Sequence, residues 1–242
     1  MLTVDFERMP LAPGATVLDL GCGAGRHSRG TRRLPGVAIA ALDLGEKEVR
    51  DTAANLRECD DIGEAEGGSL PDAGPWASIR GSAYEIPFAD ASFDCVIASE
   101  VLEHLFEDGH ALREIKRVLR PGGMLAVSVP REGPERICWM LSQEYHEAKG
   151  GHVRVYQKEA LRKLLVEQGY EIVDQHFAHA LHSPFWWMRC AIGPTNETAF
   201  PVKLYHGLLV WDLMARPWIT RTIEGLLNPL IGKSLVFYAV KP

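Results

Sequence analysis

The sequence lacks three features that would place it in other classes of protein. Its 242 residues carry a formal net charge of -6, so there is no excess of Lys and Arg to grip a nucleic-acid backbone. Its five cysteines are scattered, with no pair at the short spacing of a zinc site. No apolar run reaches the roughly 20 residues of a membrane span. These absences favour a protein that binds small molecules, with no nucleic acid as partner.

The cysteines and the first residues also bear on location. An odd number of scattered cysteines is typical of a reducing compartment. The start of the chain, MLTVDFERMP, has two acidic residues and no apolar core of signal-peptide length. We therefore expect a cytoplasmic protein. Hydrophobic residues make up 46% and charged residues 24% of the chain, which is typical of a globular domain, and we expect one domain over residues 1–242.

Short apolar runs alternate with amphipathic stretches along the chain. Strands are predicted at 17–20, 37–43, 92–99, 124–130, 170–177 and 234–240, and helices at 108–119 and 157–168. This alternation predicts an α/β fold with a doubly wound, mostly parallel sheet and helices on both faces. Residues 58–76, rich in Gly, Asp, Glu and Pro, are expected to form a mobile surface loop. Residues 178–233 are too long for a simple connection and predict a helical cap inserted before the last strand.

The stretch VLDLGCGAGRHS, residues 17–28, predicts a buried strand that runs into a glycine turn. Its glycines are Gly21, Gly23 and Gly25, a G-x-G-x-G spacing. A dinucleotide fingerprint requires G-x-G-x-x-G, but Arg26 stands where its third glycine would be. The Gly-Lys-Ser/Thr of a P-loop is absent as well. The spacing therefore disfavours ligands with phosphates, including the cofactor of a nicotinamide-dependent oxidoreductase.

Two carboxylates accompany the turn and indicate a different ligand. Asp19 lies two residues before the first glycine, where it would repel a pyrophosphate and attract a positively charged group. Asp43 ends the second predicted strand, where a carboxylate can accept hydrogen bonds from both hydroxyls of a ribose. A nucleoside with an amino-acid tail and no phosphate satisfies both.

Four segments in order resemble the class I S-adenosylmethionine-dependent methyltransferases. They are VLDLGCGAGRHS, VAIAALDLGEKEV, RGSAYEIPFADASFDCVIASEVLEHL and LREIKRVLRPGGMLAVSVP, which together span residues 17–130. The resemblance is to the small-molecule branch that includes the ubiquinone and menaquinone biosynthesis-type enzymes. It implies a Rossmann-like sheet of seven strands, S-adenosylmethionine as cofactor, a cofactor-binding half at 1–130 and a substrate-side half at 131–242.

The resemblance also implies where the methionine end of the cofactor lies. The three glycines would let the backbone approach it, and Asp19 beneath them would help to hold its amino group. Ser99 and Glu100, at the end of the fourth strand, would border the methionine tail and the transferable methyl group.

The adenosine end would be held by four other residues. Asp43 would bind the ribose, Leu44 would pack on the adenine, and Ser82 and Ala83 would lie against the adenine edge. The family usually has Asp in place of Ser82. A serine hydroxyl lacks the charge of a carboxylate, so we expect the cofactor to bind with reduced affinity.

Methyl transfer needs a base only where the acceptor must lose a proton. His104 and His152 are the candidate catalytic bases, which favours O-methylation of a small, apolar or lipid-like acceptor. The structural alternative for His104 is a helix-start residue bonded to the backbone. His176, His179 and His182 have near-helical spacing, but no carboxylate or cysteine completes the set at a convincing spacing, so no metal is expected.

Aromatic residues are concentrated in the predicted insertion. They are Phe185, Trp186, Trp187, Trp211 and Trp218. They could form the core of the cap, line the acceptor pocket, or give the protein a peripheral contact with a membrane surface. The alternative function is that of a subunit that binds the cofactor without catalysis and supports a partner enzyme. The sequence leaves the oligomeric state open.

Overall fold

The computed structural model describes residues 2–65, 73–146, 152–196, 198–215 and 217–242. Seven strands form one sheet in the order β3-β2-β1-β4-β5-β7-β6. They are β1 (Thr16–Leu20), β2 (Ala38–Asp43), β3 (Trp76–Arg80), β4 (Phe93–Ser99), β5 (Leu119–Pro130), β6 (Glu171–Ala178) and β7 (Ser234–Val240). The first five pair in parallel, and β7 runs antiparallel between β5 and β6. The predicted mostly parallel, seven-stranded sheet is confirmed.

Alternate residues of each central strand supply two separate cores, one on each face of the sheet. In β4, Val96 and Ala98 belong to the larger core, whereas Cys95 and Ile97 belong to the smaller one. The interior of β4 is fully buried, so the strand is apolar at successive positions rather than at every second one. This pattern explains why the sequence predicts a sheet covered on both faces.

Helices connect the strands and cover the sheet. They are α1 (Arg26–Thr31), α2 (Glu46–Ala65), α3 (Asp108–Val118), α4 (Glu132–Leu141), α5 (Gln143–His146), α6 (Lys158–Glu167), α7 (His182–Ile192), α8 (Phe200–Ala215) and α9 (Trp218–Ile231). The last three lie between β6 and β7 and form the predicted helical insertion. None of the described helices is long and apolar enough to cross a membrane.

The expected surface loop over 58–76 is wrong at both ends. Helix α2 continues to Ala65, and Trp76 begins β3. The polar composition of this stretch misled the prediction because a contact distant in sequence holds the helix. The Asp60 carboxylate accepts from Arg32 Nε at 2.7 Å and from Trp76 Nε1 at 2.9 Å. Residues 66–72 lie outside the described part of the chain.

The order of the strands places a crevice beside β1. The chain proceeds from β1 to β2 on one side, and β4 then pairs with β1 on the other. A doubly wound sheet opens a crevice at the carboxyl ends of its strands where the order reverses in this way. The glycine turn after β1 and the Ser99–Glu100 pair after β4 therefore meet at the same edge.

Candidate functional site

All three glycines of the turn have left-handed backbone, but for different reasons. Their φ angles are +67° at Gly21, +55° at Gly23 and +77° at Gly25. A Cβ on Gly21 would lie 2.4 Å from Val101 Cγ2, and one on Gly25 would lie 2.9 Å from Thr52 Oγ1. A Cβ on Gly23 would meet no atom within 4 Å. The outer glycines are thus required for packing as well as for backbone conformation, whereas Gly23 borders open space.

The Asp19 carboxylate holds this turn from beneath. It is 1% exposed, and its Oδ2 accepts from Ser28 N at 2.8 Å and from Ser28 Oγ at 2.6 Å. Burial raises the pKa of Asp19 to about 6, against the lowering effect of the bonds from Ser28. Asp19 therefore lies where the sequence predicts, but one of its oxygens is occupied by the first turn of α1.

Asp43 ties the glycine turn to the end of β2. Its Oδ2 accepts from Gly23 N and its Oδ1 from Gly45 N, both at 2.9 Å. Each carboxylate oxygen has two lone pairs, so both can accept a further hydrogen bond from a ligand. The geometry thus leaves Asp43 able to meet two hydroxyl groups while it shapes the turn.

A cavity of about 350 Å³, here called the cofactor cavity, lies beside these residues. It brings together seven of the predicted site residues: Gly21, Asp43, Leu44, Ser82, Ala83, Glu100 and His104. Leu44 is 67% exposed, so it offers an apolar face to a flat ring. Asp19, Gly23, Gly25, Ser99 and His152 are not in this lining and support the site from behind or beside it.

Ser82 is already engaged by the backbone of its own turn. Its Oγ accepts from Tyr84 N at 3.1 Å, and Ser82 bridges to Glu85. After this bond the hydroxyl keeps its proton and one lone pair, so Ser82 can still donate a hydrogen bond to a ligand or accept one, whereas an ionised Asp could only accept.

A chain of hydroxyl groups fixes Glu100 at the end of β4. Ser99 Oγ lies 2.9 Å from Ser128 Oγ, and Ser128 Oγ donates to Glu100 Oε1 at 3.1 Å. The Glu100 N–H donates to the Ser128 carbonyl oxygen at 2.9 Å, and the φ of Glu100 is +58°. Glu100 is thus held in an uncommon backbone conformation that directs it into the crevice.

A second cavity of about 180 Å³, here called the acceptor cavity, lies on the other side of Glu100. Its lining residues are Thr3, Arg26, Glu100, His179, His182, Trp186, Lys233 and Ser234. Of these residues, the sequence predicts Glu100 as a site residue, names Trp186 as a candidate for lining the acceptor pocket, and raises His179 and His182 only as metal ligands. Thr3, Arg26, Lys233 and Ser234 were not predicted, and Arg26, directly after the glycine turn, is the one of these four that lies beside a recognised motif.

The two predicted histidines come together although they are far apart in sequence. The rings of His104 and His152 are 5.3 Å apart, and His152 Nδ1 lies 2.9 Å from Glu135 Oε1. Burial raises the pKa of Glu135, but the bond from His152 and the nearby Lys233 outweigh it and hold that pKa below its usual range. The contact between Nδ1 and the Glu135 carboxylate fixes the orientation of the His152 ring.

Glu103, beside His104, is the carboxylate that sequence reasoning underrated. It is fully buried, and neither of its carboxylate oxygens has a hydrogen-bond partner within the described part of the chain. Burial and then the neighbouring Glu100 raise its pKa well above the usual range.

Comparisons with known proteins agree with this geometry. Residues 18–127 match the family described as a methyltransferase domain. O-methyltransferase resE of Aspergillus sclerotiorum is 29% identical over 173 residues, 69% of this chain and 59% of that protein. The ubiquinone biosynthesis O-methyltransferase of Caulobacter vibrioides is 35% identical over 120 residues, 48% of this chain and 40% of that protein. Residues 18–127 thus match a methyltransferase domain and the curated relatives are methyltransferases, which implies S-adenosylmethionine as the cofactor.

Solved structures support the fold of the methyltransferase domain. A SAM-dependent methyltransferase from Methanosarcina mazei, 18% identical, superposes with a TM-score of 0.56 and covers 73% of this chain and 89% of its own. The chain spans 59% and 40% of the two curated relatives named above.

The cofactor cavity suits the cofactor of this class. Leu44 presents an apolar surface, Asp43 has free lone pairs beside it, and Gly23 leaves the backbone open to close approach. The Glu100 carboxylate lines the cavity and that of Asp19 lies beneath the glycine turn, so both add negative charge that suits a cofactor with sulfonium and ammonium groups. The residues present therefore fit the group.

Replacing Asp43 is expected to weaken cofactor binding. A hydrogen bond to a charged group contributes about 1.5–3 kcal/mol, so Asp43→Ala should lower the affinity for S-adenosylmethionine about ten-fold to a hundred-fold in calorimetry. Asp43→Asn keeps only one of the two hydrogen bonds to the turn, because its amide nitrogen cannot accept from a backbone N–H, and its affinity should lie between those of Asp43→Ala and the wild type. Asp174→Ala, on β6 and paired with Arg8, is the matched control. Equal affinity for S-adenosylmethionine in the wild type and in Asp43→Ala would contradict the prediction that Asp43 binds the ribose.

The buried Asp19 predicts a pH dependence of cofactor binding. A cationic ligand favours the ionised carboxylate, so binding releases a proton wherever the unbound Asp19 is protonated. Affinity for S-adenosylmethionine should therefore fall as the pH is lowered through about 6, by at most about ten-fold per pH unit. Asp19→Asn cannot titrate and should bind weakly with a flatter profile. The interpretation fails where both proteins show the same pH profile in calorimetry.

Proposed function

We propose that the chain transfers a methyl group from S-adenosylmethionine to an oxygen of a small acceptor held in the acceptor cavity. The observation that carries this proposal is Glu100, which lines both cavities and so marks where their contents meet. In-line displacement requires the acceptor atom, the methyl carbon and the sulfur to be aligned with water excluded. Two adjoining cavities on one sheet edge meet that requirement.

The residues of the cofactor cavity have separate roles in this proposal. Asp43 accepts from the ribose hydroxyls, Leu44 packs on the adenine, and Ser82 and Ala83 meet its edge. Asp19 beneath the turn and Glu100 beside it supply negative charge near the methionine end. When bound, the cofactor supplies an electrophilic methyl group on a sulfonium.

His104 is the proposed base because it lines the cofactor cavity. His104 would take the proton of the acceptor hydroxyl as that oxygen accepts the methyl group that the cofactor would supply, and the electron pair of the carbon–sulfur bond would stay on sulfur. His152 is not in that lining, so its proposed role is to position His104 rather than to touch the substrate. Glu135, bound to Nδ1 of His152, fixes the orientation of that ring.

The acceptor cavity refines the expected chemistry of the acceptor. Seven of its eight lining residues have polar or charged side chains and the eighth is Trp186, so the cavity suits the polar end of a molecule. Apolar side chains lie exposed on the insertion helices instead, such as Leu204 on α8 and Leu226 on α9. A lipid-like acceptor would thus place its hydroxyl in the acceptor cavity and its apolar part along these helices.

We also propose that residues 1–242 form one domain, because the 131–242 half contributes β6 and β7 to the same sheet as the 1–130 half. Free thiols at the five cysteines support a reducing location such as the cytoplasm. The competing function is a subunit that binds the cofactor and supports a partner enzyme. An acceptor cavity next to the cofactor cavity favours the active enzyme.

Methyl transfer is tested by incubating the chain with S-adenosylmethionine and a panel of phenols, catechols and hydroxylated lipids, and measuring S-adenosylhomocysteine. His104→Gln should lower kcat for the acceptor found by about 100-fold to 10,000-fold and change the affinity for the cofactor much less. His110→Gln, in the half-exposed His110 of α3, is the control. Equal kcat in His104→Gln would contradict the base role. No product with any acceptor, together with a stable partner on pull-down, would favour the non-catalytic subunit.

A peripheral membrane contact is the proposed role of the exposed face of the insertion. Trp211 is 48% exposed and Trp218 is 78% exposed, and Trp is favoured at the interface between a bilayer and water. The double variant Trp211→Ser, Trp218→Ser should lose co-sedimentation with phosphatidylglycerol vesicles that the wild type shows. Val173→Ser, at a comparably exposed site on β6, should not. A wild type that stays in the supernatant would reject the contact.

A further inference from the structure

Three potential metal ligands meet where the insertion joins the sheet. His179 and His182 lie in the turn from β6 into α7, and Glu224 lies on α9. One ligand atom from each lies within 4.8 Å of the other two. No carboxylate was expected to complete the histidine set. The fold nevertheless places Glu224, which is distant in sequence, next to His179 and His182. His176 points elsewhere and stacks on Tyr238.

The cluster holds polar atoms that the protein itself does not satisfy. Glu224 is 8% exposed, and its Oε1 has no hydrogen-bond partner among the described residues. His182 Nδ1 is likewise buried, with no partner found in the ranges that the structure covers. A buried polar atom without a hydrogen-bond partner lowers the stability of the fold by about 1–3 kcal/mol. A bound ligand at this point would give partners to more than one such atom.

Charged side chains of both signs surround the cluster. Glu224 and the adjacent buried Asp212 share one guanidinium, since Arg221 lies 3.4 Å from Glu224 Oε2 and 2.8 Å from Asp212 Oδ2. Asp212 Oδ1 also has no hydrogen-bond partner in the described residues. Two carboxylates and one guanidinium thus lie beside the cluster, and two further cations, Arg26 and Lys233, line the acceptor cavity with the histidines.

Each of the two histidines leaves one ring nitrogen for a metal. His179 Nε2 lies 2.9 Å from Thr3 Oγ1, so Nδ1 is the nitrogen left for ligation. In His182 the buried Nδ1 has no hydrogen-bond partner among the described residues, so it is the nitrogen that this ring offers to the cluster. An outer hydrogen bond such as the one to Thr3 is the usual support of a metal-bound histidine.

We propose that His179, His182 and Glu224 bind a zinc-class divalent ion whose open coordination position faces the acceptor cavity. Two imidazoles and one carboxylate with an open fourth position form a catalytic type of zinc site. Arg26 and Lys233 line the same cavity, which disfavours an ion held by charge alone, such as Mg²⁺, and favours one held by imidazole nitrogen.

The ion would take an oxygen of the acceptor, because His179 and His182 both line the acceptor cavity. This role rests on the proposed methyl transfer. It narrows the acceptor to a molecule with an oxygen that can coordinate zinc, and bound zinc makes a coordinated hydroxyl easier to deprotonate. The metal site itself does not depend on that role.

The test is a zinc titration of the chelator-treated full chain against a chromophoric chelator. We expect one tight site in the wild type. Thr3→Val should lower its affinity about 10-fold to 100-fold, and His182→Ala and Glu224→Gln by more. His176→Ala should bind as the wild type does. Cobalt in place of zinc should give the strong visible bands of a tetrahedral site without a thiolate charge-transfer band.

Other outcomes overturn the inference. His104 and His152 meet Glu103 in a second group of potential ligands, so tight binding that is lost in His104→Ala but kept in His182→Ala would place the ion there. A thiolate charge-transfer band would assign the ion to cysteine. The absence of any tight zinc site would reject the proposed site. Calorimetry with S-adenosylmethionine on each variant reports folding and tests the proposed function separately. Zinc binding without cofactor binding would support the proposed metal site and contradict the proposed methyl transfer.

Discussion

The hydrogen bonds from Ser28 to the buried Asp19 hold the first turn of α1 against β1, and the crevice depends on them. Because Ser28 is the third residue of α1, its N–H would otherwise lack a helical partner. Fixing the helix start there forces the chain to leave β1 and enter α1 within a short turn. That turn is possible only with left-handed backbone at three positions, which glycine adopts at least cost. One buried carboxylate thus determines the shape of the surface that meets the cofactor.

Negative charge is concentrated around this turn. Asp19, Asp43, Glu100 and Glu103 lie within or behind the crevice, and burial raises the pKa of Asp19 and Glu103. Carboxylates whose ionisation is unfavourable without a partner are stabilised by a ligand with positive charge. A phosphate would add further negative charge to the same environment and would be repelled by the carboxylates. The crevice therefore selects a sulfonium and an ammonium group over a pyrophosphate, which agrees with the glycine spacing.

The parts of the site that the sequence predicts are those that local pattern determines. The apolar run before Gly21 and the acidic end of β2 place Asp19, Asp43 and the turn without knowledge of the rest of the fold. Features that rest on distant contacts could not be predicted in this way. The helix at 58–65 is held by Asp60 through Arg32 and Trp76, and its polar composition resembles a loop. Glu224 meets His179 across 45 residues, so no spacing rule could pair them.

Glu100 connects the two halves of the site. A non-glycine residue in left-handed backbone costs about 1–2 kcal/mol, which a strand end would normally avoid. Here the Ser128 carbonyl accepts from the Glu100 N–H and the Ser128 hydroxyl donates to its carboxylate, so β5 holds both ends of the residue. With φ in the extended range the side chain would follow the strand instead of entering the crevice. The strain at Glu100 is thus the local cost of a carboxylate shared by the cofactor cavity and the acceptor cavity.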